Sequence, residues 1–354
     1  MDRQGHSPKG ERLAYLPPTI PYSILALALA SISAFAQTTN PPARPSDWEQ
    51  PSGPYAVVME EDPGIPDHTV YRPANLAAMP KQERMPIVAF DGPGCDANGT
   101  AFRPFFTEVA SHGYLLIAGG LPEPKGGSGA DFPKTKPEDL TASIDWAIAE
   151  NSRKDGKYFQ RLDTSKIAVM GQSCGGAQAL AISKDPRIDT IVMWNSCSFQ
   201  FMRGGGPPPA GGAPAGRAAE GGMPAGRGMP AGRGMPAGRG GGIPVPNVDK
   251  ELVTTLRVPI AYFMGGPRDM LYQASRADID MYEAAPLFWA STELPGDAHA
   301  GSFREKNGGK FGVVGVAWLK WQLKGDRDAA KMFVGAACGL CTDPNWEVKK
   351  KRID

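Results

Sequence analysis

The sequence predicts an α/β fold: a mostly parallel central sheet with helices on both faces. Three observations carry this. Short apolar, β-branched runs alternate with stretches of helical spacing from about residue 55 to 330. One such run, KIAVM at 166–170, leads directly into Gly171-Gln-Ser-Cys-Gly175 and then into AQALAISKD, which has helical character. Finally, Ser173, a later acid and a still later histidine follow one another in the chain in an order that such a sheet can bring together.

The elements follow in order. Residues 37–54 are rich in Pro, Thr and Asn and read as a flexible lead-in. Residues 55–59 and 68–72 read as two strands joined by a turn around Asp62, Pro63 and Gly64. Residues 86–90 (PIVAF) form a buried strand, followed by the Gly-rich loop Asp91-Gly-Pro-Gly-Cys95. A helix over 100–111, a strand over 114–118 and a helix over 137–151 come next. The strand 166–170 and its helix follow, then strands at 188–195 and 259–264, a helix near 271–285 and a strand at 287–291. A strongly amphipathic helix over 311–323 closes the α/β domain, assigned to 55–330. Residues 331–354 are read as a C-terminal tail with a Cys-x-x-Cys.

One segment breaks the alternation. Between 201 and 246, after the strand that follows the Ser173 helix, the chain is Gly, Pro, Ala and Arg with little to bury. MPAGRG occurs three times in tandem from Met223 to Gly240. Such a composition cannot offset its ordering entropy, so a disordered insert is expected. Its glycine spacing is not Gly-X-Y, which excludes collagen.

Bulk properties bound the function. The chain has 354 residues and 41% hydrophobic content, enough for a sizeable core. Setting aside the first 36 residues leaves 35 basic and 35 acidic side chains. No basic face is implied, and nucleic acid is not an expected partner. Residues 1–36 have the form of a signal peptide: Arg3, Lys9 and Arg12, then an apolar stretch too short to span a bilayer comfortably, ending in Ala34-Phe-Ala36. A secreted or periplasmic protein with no stable membrane span is expected. All five cysteines lie beyond the leader, where an oxidising compartment favours disulfides. Cys338 and Cys341 have no second pair and no nearby His, which favours a local disulfide over zinc.

The chemistry centres on Ser173. Strand, Gly-x-Ser-x-Gly and helix together form a nucleophile elbow, in which small residues allow a tight turn and the serine is held exposed. The bland alternative is a serine that merely caps the helix. A serine hydroxyl needs a base to take its proton. Of four histidines, His6 falls in the leader, His68 in an early strand and His112 between an early helix and strand; only His299 follows the last expected strand. The acid should end a strand between Ser173 and His299. Asp269, in the loop after 259–264, fits; Asp297, two residues before His299, is the rival, and Asp145, within a helix, is a weaker third. An oxyanion would be held by two backbone N–H groups: that of Cys174 and, because Pro93 has none, that of Gly94 or Cys95. Cys95 and Cys174 therefore sit on the two loops of one oxyanion hole, where a disulfide between them would fix the donor spacing. Cys197 competes for Cys174 or stays free. No metal or organic cofactor is required by this set.

At these residues the chain resembles a secreted serine esterase of the α/β-hydrolase superfamily, in the branch near dienelactone hydrolase-like, cutinase-like and PET hydrolase-like enzymes. The resembling parts are PIVAFDGPGC, VASHGYLLIA, KIAVMGQSCGG, GGPRD, GDAHAGSF and VAWLKWQLKGD. Pro93 and Cys197 depart from the pattern, and dienelactone hydrolases proper carry Cys where this chain has Ser173. The resemblance implies hydrolysis of a carboxylic ester, small or polymeric, through an acyl-enzyme. A peptidase or amidase on the same fold, and a non-catalytic envelope-binding protein, are the alternatives.

Overall fold

The computed structural model describes residues 50–122, 133–199, 246 and 248–354. The expected leader, residues 37–49 of the lead-in and the 201–246 insert up to residue 245 lie outside the described residues.

Among the described residues, nine strands form one sheet in the order β1-β2-β4-β3-β5-β6-β7-β8-β9. At one edge β1 (Val57–Glu60) and β2 (His68–Pro73) pair antiparallel, and β2 pairs antiparallel with β4 (Leu115–Gly119). From β4 inward the pairing is parallel: β3 (Met85–Asp91), β5 (Leu162–Gln172), β6 (Thr190–Trp194), β7 (Ile260–Met264) and β8 (Leu287–Ser291). Strands β3, β6, β7 and β8 are buried throughout, and β5 is buried from Ile167 to Gln172, which is why these stretches read as continuous apolar runs.

Side chains alternate across the sheet with period two. Ile87, Ala89, Ile167, Val169, Ile191 and Met193 face one layer. That layer holds helices α2 (Pro137–Ser152), α3 (Cys174–Ala181), α4 (Lys250–Thr255) and α5 (Tyr272–Met281). Val88, Phe90, Ala168, Met170, Val192 and Trp194 face the other, with α1 (Arg103–Ser111) and α6 (Gly309–Lys324). The expected α/β-hydrolase architecture is therefore present, with helices on both faces.

The C-terminal segment departs from its reading as a tail. After α7 (Arg327–Ala330), residues 331–354 contain α8 (Gly339–Thr342) and β9 (Glu347–Lys351), which pairs antiparallel with β8 from Leu287↔Lys351 to Ser291↔Glu347. Its lysines are not simply solvated. Lys351 Nζ donates to Ile279 O at 2.6 Å, and Lys350 Nζ donates to Gly335 O at 2.8 Å. Phe333 packs edge-on against Trp318 of α6, and Cys338 is disulfide-bonded to Cys341. The short helix α4 also had no reading in the sequence.

The consequence of this topology is positional. The C-terminal ends of β3, β5, β6, β7 and β8 are neighbours along one rim, and ligands of open α/β sheets bind there.

Candidate active site

Ser173 follows the last residue of β5 and precedes the first of α3. Its backbone is left-handed, with φ 54° and ψ −117°. A non-glycine residue there is strained, and its neighbours set the reason. A Cβ on Gly171 would stand 2.1 Å from the Gly175 backbone, and one on Gly175 would stand 2.1 Å from Asp91 O. The two outer glycines of the motif therefore let strand, turn and helix close up, and Ser173 takes the residual strain. Its side chain makes no helix-capping bond. Instead Ser173 Oγ stands 2.9 Å from His299 Nε2.

His299 lies in a 3-10 turn after β8, and its Nδ1 stands 3.0 Å from Asp269 Oδ1. Asp269 follows β7, is buried, and its Oδ1 also accepts the Leu271 N–H at 2.7 Å. The rival carboxylate is used otherwise. Asp297 Oδ1 accepts the backbone N–H of His299 at 3.0 Å, so Asp297 caps the turn that carries the imidazole. Asp145 is exposed on α2 and pairs with Arg187. His68 is buried in β2, its Nδ1 2.8 Å from Pro66 O, and His112 contacts Glu108 one turn back on α1. Neither belongs to this cluster.

Gly94 and Cys95 form a tight turn after β3 with φ 64° and 55°. Cys95 is disulfide-bonded to Cys174, and Cys197 is buried and free. As the first residue of α3, Cys174 has an N–H with no intrahelical acceptor. Phe102, Phe105 and Trp194 are fully buried in the core between sheet, α1 and α6. Phe303 joins them, stacked on Phe102 at 4.2 Å, and so anchors the loop that leaves His299.

Three residues beyond the sequence reading hold the cluster. Gln172, the variable letter before Ser173, donates from Nε2 to His299 O at 2.7 Å. Asn195, at φ 40° just past β6, donates from Nδ2 to Ala298 O at 3.0 Å and His299 O at 2.9 Å. Asn195 Oδ1 also accepts the Gly265 N–H at 2.7 Å, joining the histidine loop to the loop of Asp269. Ser196 Oγ donates to Ser173 O at 2.6 Å. The available signal was position: each polar residue stands at the C-terminal end of an apolar strand, where a buried side chain must have backbone partners.

Beneath this rim lies a second polar group. Asp278 accepts the Ser198 N–H at 2.5 Å, the Ser198 hydroxyl at 2.6 Å and the Tyr262 hydroxyl at 3.1 Å. Burial pushes its carboxyl up to about 7 despite these donors. Burial, and then the charge of Asp278, pushes the Cys197 thiol up, so that it is a neutral packing residue rather than a thiolate. Among the described residues no group of three or more His, Cys, Asp or Glu is placed to hold a metal ion, and no helix is long and apolar enough to cross a membrane.

A family model described as PETase, PET hydrolase-like, matches residues 33–200, which include Ser173 but neither Asp269 nor His299. A cutinase from Thermobifida fusca is 26% identical over 191 residues, covering 50% of this chain and 55% of that protein. A cutinase from Thermobifida alba is 27% identical over 161 residues, covering 43% and 49%. The chain thus spans about half the length of the curated relatives it matches, and is similar to cutinase-like and PET hydrolase-like members of the α/β-hydrolase superfamily.

Proposed function

We propose that the chain is a serine hydrolase that cleaves carboxylic esters through Ser173, His299 and Asp269 and an acyl-enzyme intermediate. The observation that carries this reading is the unbroken file Asp269 Oδ1, His299 Nδ1, His299 Nε2, Ser173 Oγ, with contacts of 3.0 and 2.9 Å. With the carboxylate of Asp269 accepting from Nδ1–H, the lone pair of Nε2 faces the serine hydroxyl. The Ser173 proton passes to Nε2 as Oγ attacks the ester carbonyl carbon. The oxyanion is held by the N–H of Cys174 and that of Gly94 or Cys95. The C–O bond then breaks and the alcohol leaves with the proton from Nε2. Water gives its proton to Nε2, attacks the acyl carbon, and releases the acid and Ser173 by the reverse sequence.

Similarity to proteins named as cutinases supports an ester rather than a peptide as the substrate class. Export to an oxidising compartment fits the two disulfides. The test is labelling by a fluorophosphonate probe together with turnover of short nitrophenyl esters. Wild-type protein labels at Ser173 and turns over, and Ser173→Ala does neither. Full ester turnover by Ser173→Ala would overturn the reading, and so would cleavage of amides with none of esters.

A further inference from the structure

The turn that follows β3 is gripped by α3 at two points one helical turn apart. Cys174 and Gln178 are separated by four residues and share one face of α3. Cys174 is bonded through sulfur to Cys95. Gln178 reaches the same turn indirectly. Its Nε2 donates to Thr135 O at 2.7 Å, and the Thr135 N–H donates to Cys95 O at 2.8 Å. Thr135 Oγ1 stands 3.0 Å from Gln178 Oε1 and 3.3 Å from Cys95 O, and its single proton serves one of them. A third tie is purely backbone: the Gly175 N–H donates to Gly92 O at 3.1 Å. Thr135, Gln178 and both cysteines are buried.

This grip closes on a strained segment. Gly94 and Cys95 both have positive φ, which Cys95 adopts only at a cost in free energy. Released from α3, the turn would relax toward the common backbone regions and swing its N–H groups. The backbone donors at 94–95 and at 174 belong to separate loops, and the Gly175 N–H to Gly92 O bond ties those loops only ahead of the strained residues, so the position of 94–95 rests on the sulfur bridge and on Thr135.

We propose that the Cys95–Cys174 disulfide, backed by Thr135 and Gln178, is a positioning clamp for the oxyanion hole, which makes the turnover step dependent on the oxidised state of this pair. The proposal rests on the ester-cleaving reading of Ser173. Reduction by a dithiol is balanced: two electrons and two protons pass to Cys95 and Cys174 as the dithiol closes to its cyclic disulfide. The clamp touches donors that act when charge develops on the carbonyl oxygen, so its loss should fall on kcat rather than on KM.

The test compares the full-length wild type with Cys174→Ala, which keeps the N–H of residue 174 and removes the sulfur bridge. Three quantities are read: kcat and KM for a nitrophenyl ester, affinity for phenylboronic acid, which forms a tetrahedral anion on Ser173, and the melting temperature. The expected result is a fall in kcat of about ten-fold or more with KM within about two-fold, and a parallel loss of boronate affinity. A kcat and a boronate affinity within two-fold of wild type overturn the clamp, whatever happens to the melting temperature. Should Cys174→Ala fail to fold, Gln178→Leu with the disulfide intact carries the same readouts, and unchanged values there overturn the proposal. Boronate capture needs no turnover. A wild type that binds boronate but cleaves no ester would therefore defeat the functional reading alone, and the clamp would still stand or fall by its own measurement.

Discussion

Replacing Asp269 by Asn tests how the imidazole is held, and its size can be worked from the contacts. The Leu271 N–H donates to Asp269 Oδ1 at 2.7 Å, and the same oxygen faces His299 Nδ1 at 3.0 Å. An asparagine placed there keeps its oxygen on that side, because the alternative sets an NH2 against the Leu271 N–H. The Nδ1–H tautomer is therefore retained, and what is lost is the charge facing the imidazolium that forms during reaction. Two unit charges 3.0 Å apart at an effective dielectric of about 20 interact by about 5.5 kcal/mol, or roughly four powers of ten in rate. His299 is 19% exposed, which screens part of this, so kcat for a nitrophenyl ester should fall about 10³–10⁴-fold. Asp297→Ala is the matched control. It removes a cap bond at an exposed turn, worth about 1 kcal/mol, and should lower kcat by less than ten-fold. Steady-state kinetics on both variants, with fluorophosphonate labelling to count folded sites, decide the matter. A 10³-fold loss in Asp297→Ala beside near-normal Asp269→Asn would refute the assignment of the acid.

Two further outcomes follow from the same geometry. Asn195→Ala removes the two bonds that hold the carbonyls of Ala298 and His299, and the acceptor for the Gly265 N–H; kcat should drop at least ten-fold and the melting temperature should fall, and an unchanged kcat would show that His299 is held without it. Asp278→Asn should flatten the pH dependence of stability. The folded carboxyl is raised to about 7 from an ordinary 3.8, so between those values the native state holds more protons than the unfolded state, and wild-type stability declines as pH rises through that window before levelling off. Urea midpoints at pH 5 and pH 8 should differ less in the variant than in wild type, and an equal drop in both would place the titration elsewhere.

The inner sheet was legible because its strands are buried on both faces and must be apolar throughout, and because Gly171 and Gly175 announce a close approach. His299 was legible by elimination and Asp269 by strand order. β9 was not, for a physical reason. An edge strand pairs through backbone on one side only and tolerates lysine, so EVKKK carries no period-two apolar signal. Its pairing depends on lysine ammonium groups finding the carbonyls of Gly335, Ile279 and Tyr282, contacts that arise only once the sheet exists. Gln172 and Asn195 were hidden in another way. Each acts on main-chain oxygen of the histidine loop, more than a hundred residues away, and no spacing rule links a side chain to a distant backbone atom.

The distribution of backbone strain ties these residues to one site. Cys95, Ser173 and Asn195 are non-glycine residues at positive φ, each just beyond the C-terminal end of one of three adjacent strands, β3, β5 and β6. Each such residue costs of order 1–3 kcal/mol and persists only where its surroundings over-determine it. The surroundings here are specific. Cys95 is tied by sulfur to α3, Ser173 is wedged between Gly171 and Gly175 with its own carbonyl bonded to Ser196, and Asn195 is held by Gly265, Ala298 and His299. Glycine would remove the strain at all three positions, but it would also remove the sulfur, the hydroxyl and the amide. The strain is therefore the cost of placing three particular side chains where the chain turns most sharply, and in the proposed mechanism those side chains supply a tether, a nucleophile and a bracket.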